Sequence, residues 1–101
     1  MIKRTTVYIR TDELCQVAHC STETVVGLVE YGVIEPGGSS PDDWQFEEQT
    51  VTIVRRAARL QQDFGTDIAG VALALDLLGK LEDARLENRM LRQRLKRFLS
   101  E

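Results

Sequence analysis

Apolar side chains between residues 11 and 32 recur at helical spacing and predict two short helices. The first extends from Asp12 to His19, with Thr11 or Asp12 as its N-cap. The second begins after the N-cap Ser21 and ends near Gly32, since glycine suits a helix C-terminus. Leu14, Val17 and Ala18 lie on one face of the first helix, and Val25, Leu28, Val29 and Tyr31 give the second a mostly apolar inner face. Two short helices that meet at residues 19–20 indicate a helix-turn-helix.

The polar–apolar pattern around the second helix predicts a small β wing and a third helix. The segments Thr6 to Ile9 and Trp44 to Phe46 are both β-prone, and we expect them to pack together. A loop rich in proline, glycine and serine precedes the second segment. The third helix is predicted from about Glu47 to Phe64, ending at Gly65. Its two stripes predict coverage on both faces: Val51, Val54, Ala58 and Gln61, and Ile53, Ala57, Leu60 and Phe64.

The last predicted helix runs from Ile68 to about Leu99, with Thr66 or Asp67 as its cap. Its apolar positions alternate at spacings of four and three, which is the pattern of a coiled-coil seam. The seam residues are Leu77, Leu81, Ala84, Asn88, Leu91, Leu95 and Phe98. We expect this seam to pair with a second copy, and Asn88 to specify its register. A helix folded back on its own domain, or a frayed end, is the alternative.

The direction of the paired helices stays open at this stage. In a parallel dimer Glu87 could pair with Arg92, but Lys80 would face Arg85. The predicted fold is therefore mainly α: a winged helix-turn-helix with a short β wing, and a long C-terminal helix that forms a coiled-coil dimer. Residues 1–65 would form the module with its wing and third helix, and residues 66–101 the dimerisation helix, as one structural unit.

The charge distribution changes the functional interpretation of a helix-turn-helix. The chain has 101 residues and a net charge of −3, but residues 11–54 contain nine acids and no lysine or arginine. DNA binding depends on lysine and arginine against phosphates, so a segment of charge −9 would be repelled by DNA. Residues 80–97 carry a net charge of +4, which we expect to lie on solvated positions of the last helix or to pair with the acidic module of another subunit. The module's partner is expected to be a basic protein surface, and not nucleic acid.

Composition and motifs favour a cytoplasmic binding protein without a cofactor. No signal-peptide pattern or membrane-spanning run is present, and two cysteines do not make a disulfide framework. Cys15, His19 and Cys20 are one ligand short of a structural zinc site, so no metal site is predicted. No glycine-rich phosphate loop or catalytic constellation accompanies the single histidine, which argues against an enzyme.

The segment from Thr24 to Ile34 is similar to the second helix of MerR-type regulators, and Trp44 to Phe46 resembles their wing. Where those regulators place basic residues against phosphates, this chain has Glu23, Val26 and Glu30, and each departure removes a phosphate contact.

Two further segments, residues 59–64 and 68–78, resemble the chaperone-modulator family of the CbpM type, which is MerR-like in fold. This resemblance extends from Tyr8 to about Leu95 and includes residues 32–36. Phe64 and Asp67 stand where leucine and asparagine would be expected, and both changes are conservative.

The resemblance implies that the chain binds the J-domain of a DnaJ-like, CbpA-type co-chaperone and inhibits its action on Hsp70. A J-domain uses a basic helix and a His-Pro-Asp loop to engage the Hsp70 ATPase, and an acidic surface could cover that helix. The expected partner-binding residues are Glu23, Val26, Gly27, Glu30, Asp42, Asp43 and Glu47. A solvated acidic face is the alternative for the helix residues, and a MerR-type DNA-binding transcription regulator, or a protein that masks another basic protein, is the alternative function. Both the outer face of the second helix and the groove between helices two, three and four stay open as the main contact.

Overall fold

The computed structural model describes residues 5–100, so residues 1–4 and 101 of the predicted domains lie outside the described part. A short strand and two short helices are followed by a 3-10 turn, a second strand and two longer helices. Their bounds are β1 Tyr8–Arg10, α1 Thr11–Ala18, α2 Thr22–Glu30, the 3-10 turn Pro41–Asp43, β2 Gln45–Glu47, α3 Thr50–Phe64 and α4 Ile68–Leu99. The mainly α winged helix-turn-helix with a long C-terminal helix is confirmed. The division into a module of residues 1–65 and a dimerisation helix of residues 66–101 stays a prediction.

The turn between α1 and α2 is closed by backbone conformation and by one side-chain cap. Thr11 already belongs to the first turn of α1, and the preceding Arg10 makes no side-chain cap, so the prediction of Thr11 or Asp12 as cap is wrong. His19 ends α1 in the left-handed conformation, at φ 56°. The Ser21 hydroxyl then accepts a hydrogen bond from the Thr24 amide at 3.3 Å, which confirms the predicted N-cap of α2.

Helix α2 ends in a Schellman motif, which explains the glycine at position 32. The Gly32 amide donates to the Val29 carbonyl at 3.0 Å, and the Val33 amide donates to the Leu28 carbonyl at 2.9 Å. Gly32 adopts φ 71°, a conformation in which a side chain would be strained. Tyr31 is the C-cap and is 56% exposed, so its predicted burial is wrong because it lies beyond the last helical turn.

The wing is a two-stranded antiparallel sheet in which Ile9 lies opposite Phe46. Phe46 is fully buried, and its ring meets the Trp44 ring edge-on at a centroid distance of 6.1 Å. The predicted packing of the two β-prone segments is thereby confirmed. Glu47 belongs to β2, so the predicted start of the third helix at Glu47 is wrong, and α3 begins at Thr50 after a turn.

Helix α3 packs one face on the core and leaves the other open. Val51, Val54 and Ala57 are buried, and α1, α2 and α4 all contact this helix. Ile53 is 39% exposed and Phe64 is 75% exposed, so the prediction that both faces are covered is wrong within a single chain. The helix ends at Gly65 as predicted, with φ 58° at that glycine.

Helix α4 begins inside the core and then leaves it. The Asp67 carboxylate accepts a hydrogen bond from the Gly70 amide at 2.9 Å, which confirms one of the two predicted caps. Val71 is the last fully buried residue, and every described residue from Asp76 onward is exposed. The 32 residues of this helix span about 48 Å at 1.5 Å per residue. The alternative of a helix folded back on its own domain is therefore wrong.

Candidate protein-binding surface

Four residues were predicted to share the outer face of α2, namely Glu23, Val26, Gly27 and Glu30, and three of them lie there. Glu23 and Glu30 are exposed, and Val26 is partly exposed. Gly27 differs, because a Cβ added there would lie 2.7 Å from Cγ2 of Ile68 in α4. Its predicted position on the outer face is wrong: it lies where α2 meets α4, and the missing side chain permits close approach.

The predicted acids near the wing divide between two places. Asp42 and Asp43 lie in the exposed 3-10 turn, where the Ser40 hydroxyl donates to the Asp43 carboxylate at 3.3 Å. Glu47 lies in β2, where it accepts a hydrogen bond from the Gln49 amide group and lines a cavity beside the wing. Neither Glu23 nor Glu30 lines that cavity. The predicted acids on α2 therefore lie apart from the cavity that Glu47 lines.

A groove of about 470 Å³ lies between the end of α2, the outer side of α3 and the start of α4. Apolar atoms make up most of its surface, and the exposed side chains of Tyr31 and Ile53 lie along it. Its lining residues are Tyr31, Gly32, Val33, Thr52, Ile53, Arg56, Ala72, Leu75 and Asp76. This is the groove between helices two, three and four that the sequence left open as an alternative to the outer face of α2.

A second cavity of about 380 Å³ lies next to this groove, between α3 and the wing. The two cavities share Val33 and Ile53 as lining residues, so they adjoin, and together they are treated as one depression. The charged residues of the second cavity are Glu35 and Glu47. Sequence reasoning selected Glu47 and missed Glu35 and Ile53. Glu35 follows directly on the Gly-Val-Ile segment after α2, and this position was the available signal.

Side-chain hydrogen bonds and one exposed ion pair connect α3 to the neighbouring helices. The Thr24 hydroxyl donates to the Gln61 side chain at 3.1 Å and links α2 to α3. Arg55 of α3 donates to the Val17 carbonyl of α1 at 3.4 Å. Arg56 of α3 pairs with Glu82 of α4 at 3.8 Å, between exposed side chains. These links position α3 against each of its three neighbouring helices.

The cysteines near the turn have the properties of structural residues. Burial, followed by the proximity of Cys15 and a hydrogen bond with it, raises the pKa of Cys20 from 9.0 to about 11. The thiol therefore stays protonated at neutral pH, and a protonated thiol is a poor nucleophile and metal ligand. Among the described residues, no group of three or more His, Cys, Asp or Glu is placed to hold a metal ion.

The predicted coiled-coil seam is uncovered in the single chain. All seven of its residues are exposed, with Phe98 at 79%. Exposed apolar side chains in such a regular row are typical of a surface that another helix covers. The seam residues placed in this way are Leu77, Leu81, Ala84, Asn88, Leu91, Leu95 and Phe98. In residues 5–100, none of the helices combines the length and apolar character needed to cross a membrane.

Comparison with known proteins gives one consistent result. The family model described as "MerR HTH family regulatory protein" matches residues 9–93. A protein named chaperone modulatory protein CbpM from Pseudomonas putida strain GB-1 is 48% identical over 85 residues, which cover 84% of each chain. Proteins of the same name from Pseudomonas entomophila and Salmonella paratyphi A are 44% and 40% identical, over 84% and 94% of each chain. These relatives are named as chaperone modulators and not as enzymes.

Proposed function

This chain belongs to the CbpM family of chaperone modulatory proteins, within the MerR-type helix-turn-helix regulators, and on that premise we propose that it binds the J-domain of a DnaJ-like, CbpA-type co-chaperone. Binding inhibits the action of that co-chaperone on Hsp70. The chaperone-modulator role is supported by relatives that match along most of the chain. The J-domain as target, and inhibition as outcome, are what the resemblance to the CbpM family implies, and the acidic surface of the module supports a basic partner.

The observation that carries this proposal is the acidic, cation-free segment within the module. Residues 11–54 have nine acids and no lysine or arginine, and Glu23 and Glu30 are exposed on the helix that a DNA-binding relative would place in the major groove. The same acids repel phosphate and attract lysine and arginine. A J-domain presents a basic helix to Hsp70, so the module and Hsp70 compete for one surface.

In this mechanism the modulator acts by occupancy and needs no cofactor and no catalytic group. Glu23, Glu30, Asp42, Asp43 and Glu47 supply the negative field and the pairs at the edge of the interface. Val26 supplies apolar surface for the stems of lysine and arginine side chains. Gly27 contributes by setting the distance between α2 and α4.

We further propose that the modulator is a homodimer that works in the cytoplasm. The uncovered seam of α4 supports the dimer, because a row of exposed leucines in water favours association. The cytoplasm stays a prediction that agrees with the proposed co-chaperone partner.

Calorimetric titration of the isolated J-domain from the same organism's DnaJ-like co-chaperone, at low and high salt, tests the proposal. We expect micromolar or tighter binding that weakens with salt, since charge attraction is screened. The variant Glu23→Lys/Glu30→Lys should abolish binding and leave the helical circular dichroism spectrum unchanged. Asp63→Lys/Asp83→Lys, which makes the same charge change on exposed residues of α3 and α4, is the matched control. The absence of binding heat at both the low and the high salt concentration would overturn the proposal.

The second candidate function is DNA-binding transcription regulation of the MerR type. The match of residues 9–93 to a MerR regulatory family model favours it, and the charge of the module opposes it. A gel-shift assay at physiological salt separates the two. Binding that survives competitor DNA would establish the regulator, and its loss on addition of competitor would support the modulator.

A further inference from the structure

We propose that the main docking site for the partner is the depression between α2, α3, α4 and the wing, and that it takes one amphipathic basic helix. The outer face of α2 then acts as a charged flank and not as the centre of the interface. This assignment rests on the proposed function and deepens it, because it names the surface and the kind of element that binds there. It decides between the two surfaces that the sequence left open.

The first argument is the shape of the depression. Two cavities of about 470 and 380 Å³ meet at Val33 and Ile53. Each falls in the volume range of ligand-binding clefts, and because they share two lining residues they lie side by side. Adjoining clefts, of which the first has mostly apolar walls, suit a helix that inserts side chains one turn apart.

The second argument is the exposure of large side chains along this groove. Tyr31 is 56% exposed and Ile53 is 39% exposed, and Tyr8, 54% exposed, lies at the wing end. Clustered exposed aromatic and aliphatic residues mark interfaces, because their desolvation supplies binding energy. The outer face of α2 offers only the partly exposed Val26 for this purpose.

The third argument is the distribution of charge, which orients the occupant. At the α4 end the charges compensate each other, since Asp76 pairs with Lys80 at 3.1 Å and Arg56 pairs with Glu82 at 3.8 Å. At the wing end the charged residues that line the groove are Glu35 and Glu47, both acids. We therefore expect the aliphatic side chains of the partner helix to lie toward α4, and its lysine or arginine residues toward the wing.

The groove also stays accessible when the seam of α4 is covered. Ala72, Leu75 and Asp76 line the groove at positions i, i+3 and i+4 of the helix. At 3.6 residues per turn, they lie roughly 140° around α4 from the average direction of the seam residues. A helix that pairs along the seam therefore lies on the other side of α4 and leaves the groove open.

The test compares groove and control variants of the full chain, with the isolated J-domain as the probe. We expect Tyr31→Ala/Ile53→Ala to weaken binding at least tenfold. Leu86→Ala/Met90→Ala is the matched control, because it removes two side chains of similar exposure on the part of α4 beyond the groove and off the seam. This control should bind within twofold of the unmodified chain. Circular dichroism and thermal unfolding check that each variant folds.

A second measurement uses the folded, unmodified chain. The δ1-methyl resonance of Ile53 should shift on titration with the J-domain, whereas that of Ile68, which packs against Gly27 and lines neither cavity, should move less. If the unmodified chain binds, but the groove variant binds equally well and Ile53 does not shift, the groove assignment is overturned and the proposed function stands. If the unmodified chain does not bind the J-domain, the proposed function and the groove assignment are both overturned.

Discussion

Phe46 and Phe98 carry the same side chain, yet the first is fully buried beneath the wing and the second is 79% exposed near the end of α4. The same contrast holds for the surrounding regions. The module up to Val71 contains all ten buried apolar residues of the core, whereas every described residue from Asp76 onward is exposed. Charge changes as well, from −9 in residues 11–54 to +4 in residues 80–97. The module can therefore fold on its own contacts, while the apolar seam of α4 requires another surface.

The largest expected effect comes from the buried phenylalanine. Phe46→Ala should lower the free energy of unfolding by about 3–5 kcal/mol, because it removes the side chain that joins the wing to the core. Phe98→Ala should leave the unfolding of the module unchanged. Urea denaturation followed by Trp44 fluorescence measures both. Equal destabilisation by the two substitutions would contradict the division into a self-sufficient module and a dependent helix.

A change confined to the seam should separate association from folding. Leu81→Lys/Leu91→Lys places two charges on the seam and should convert the dimer to a monomer, with the module still folded. Leu86→Lys/Met90→Lys adds the same charge off the seam and is expected to remain dimeric. Sedimentation equilibrium gives the mass, and thermal unfolding checks the module. A monomeric unmodified chain at micromolar concentration would show the seam prediction to be wrong.

The smallest effects are expected from the removal of one polar interaction in each region. Ser21→Ala removes the hydroxyl cap of α2 and should cost about 1 kcal/mol of unfolding free energy. Glu82→Ala removes the exposed partner of Arg56 and should cost at most a few tenths of a kcal/mol, because both side chains are solvated. Denaturant titration at matched ionic strength distinguishes them. A larger loss from Glu82→Ala than from Ser21→Ala would indicate that the far part of α4 contributes more to folding than its exposure suggests.

Local signals in the sequence predicted the helix boundaries where one residue type has a clear backbone role. Ser21, Gly32, Gly65 and Asp67 were identified in this way, because capping and left-handed conformations depend on few neighbours. The start of α3 was placed three residues too early. Glu47 is compatible with a helix by its own preference, and only its pairing opposite Tyr8 makes it part of a strand.

The candidate site was less predictable because it depends on which elements meet. Periodicity assigned Tyr31 and Ile53 to buried faces, but it cannot tell whether another element covers a given face. Gly27 was grouped with Glu23 by helical spacing, although α4 packs against it. The groove is lined by α2, α3 and α4, which are separated along the chain, so no local pattern contains it. The absence of cations over residues 11–54 does not depend on packing, so the acidic character of this segment was evident from the sequence alone.

Gly27 packs against Ile68 at the start of α4, so the direction of this long helix depends on how closely it approaches α2 there. A methyl group that displaced the start of α4 by about 1 Å over its first two turns would tilt the helix by about 5°. Over a length of about 48 Å, that tilt moves the far end by about 4 Å. A side chain at position 27 would therefore change where Phe98 lies, and with it the span between the two modules of the proposed dimer.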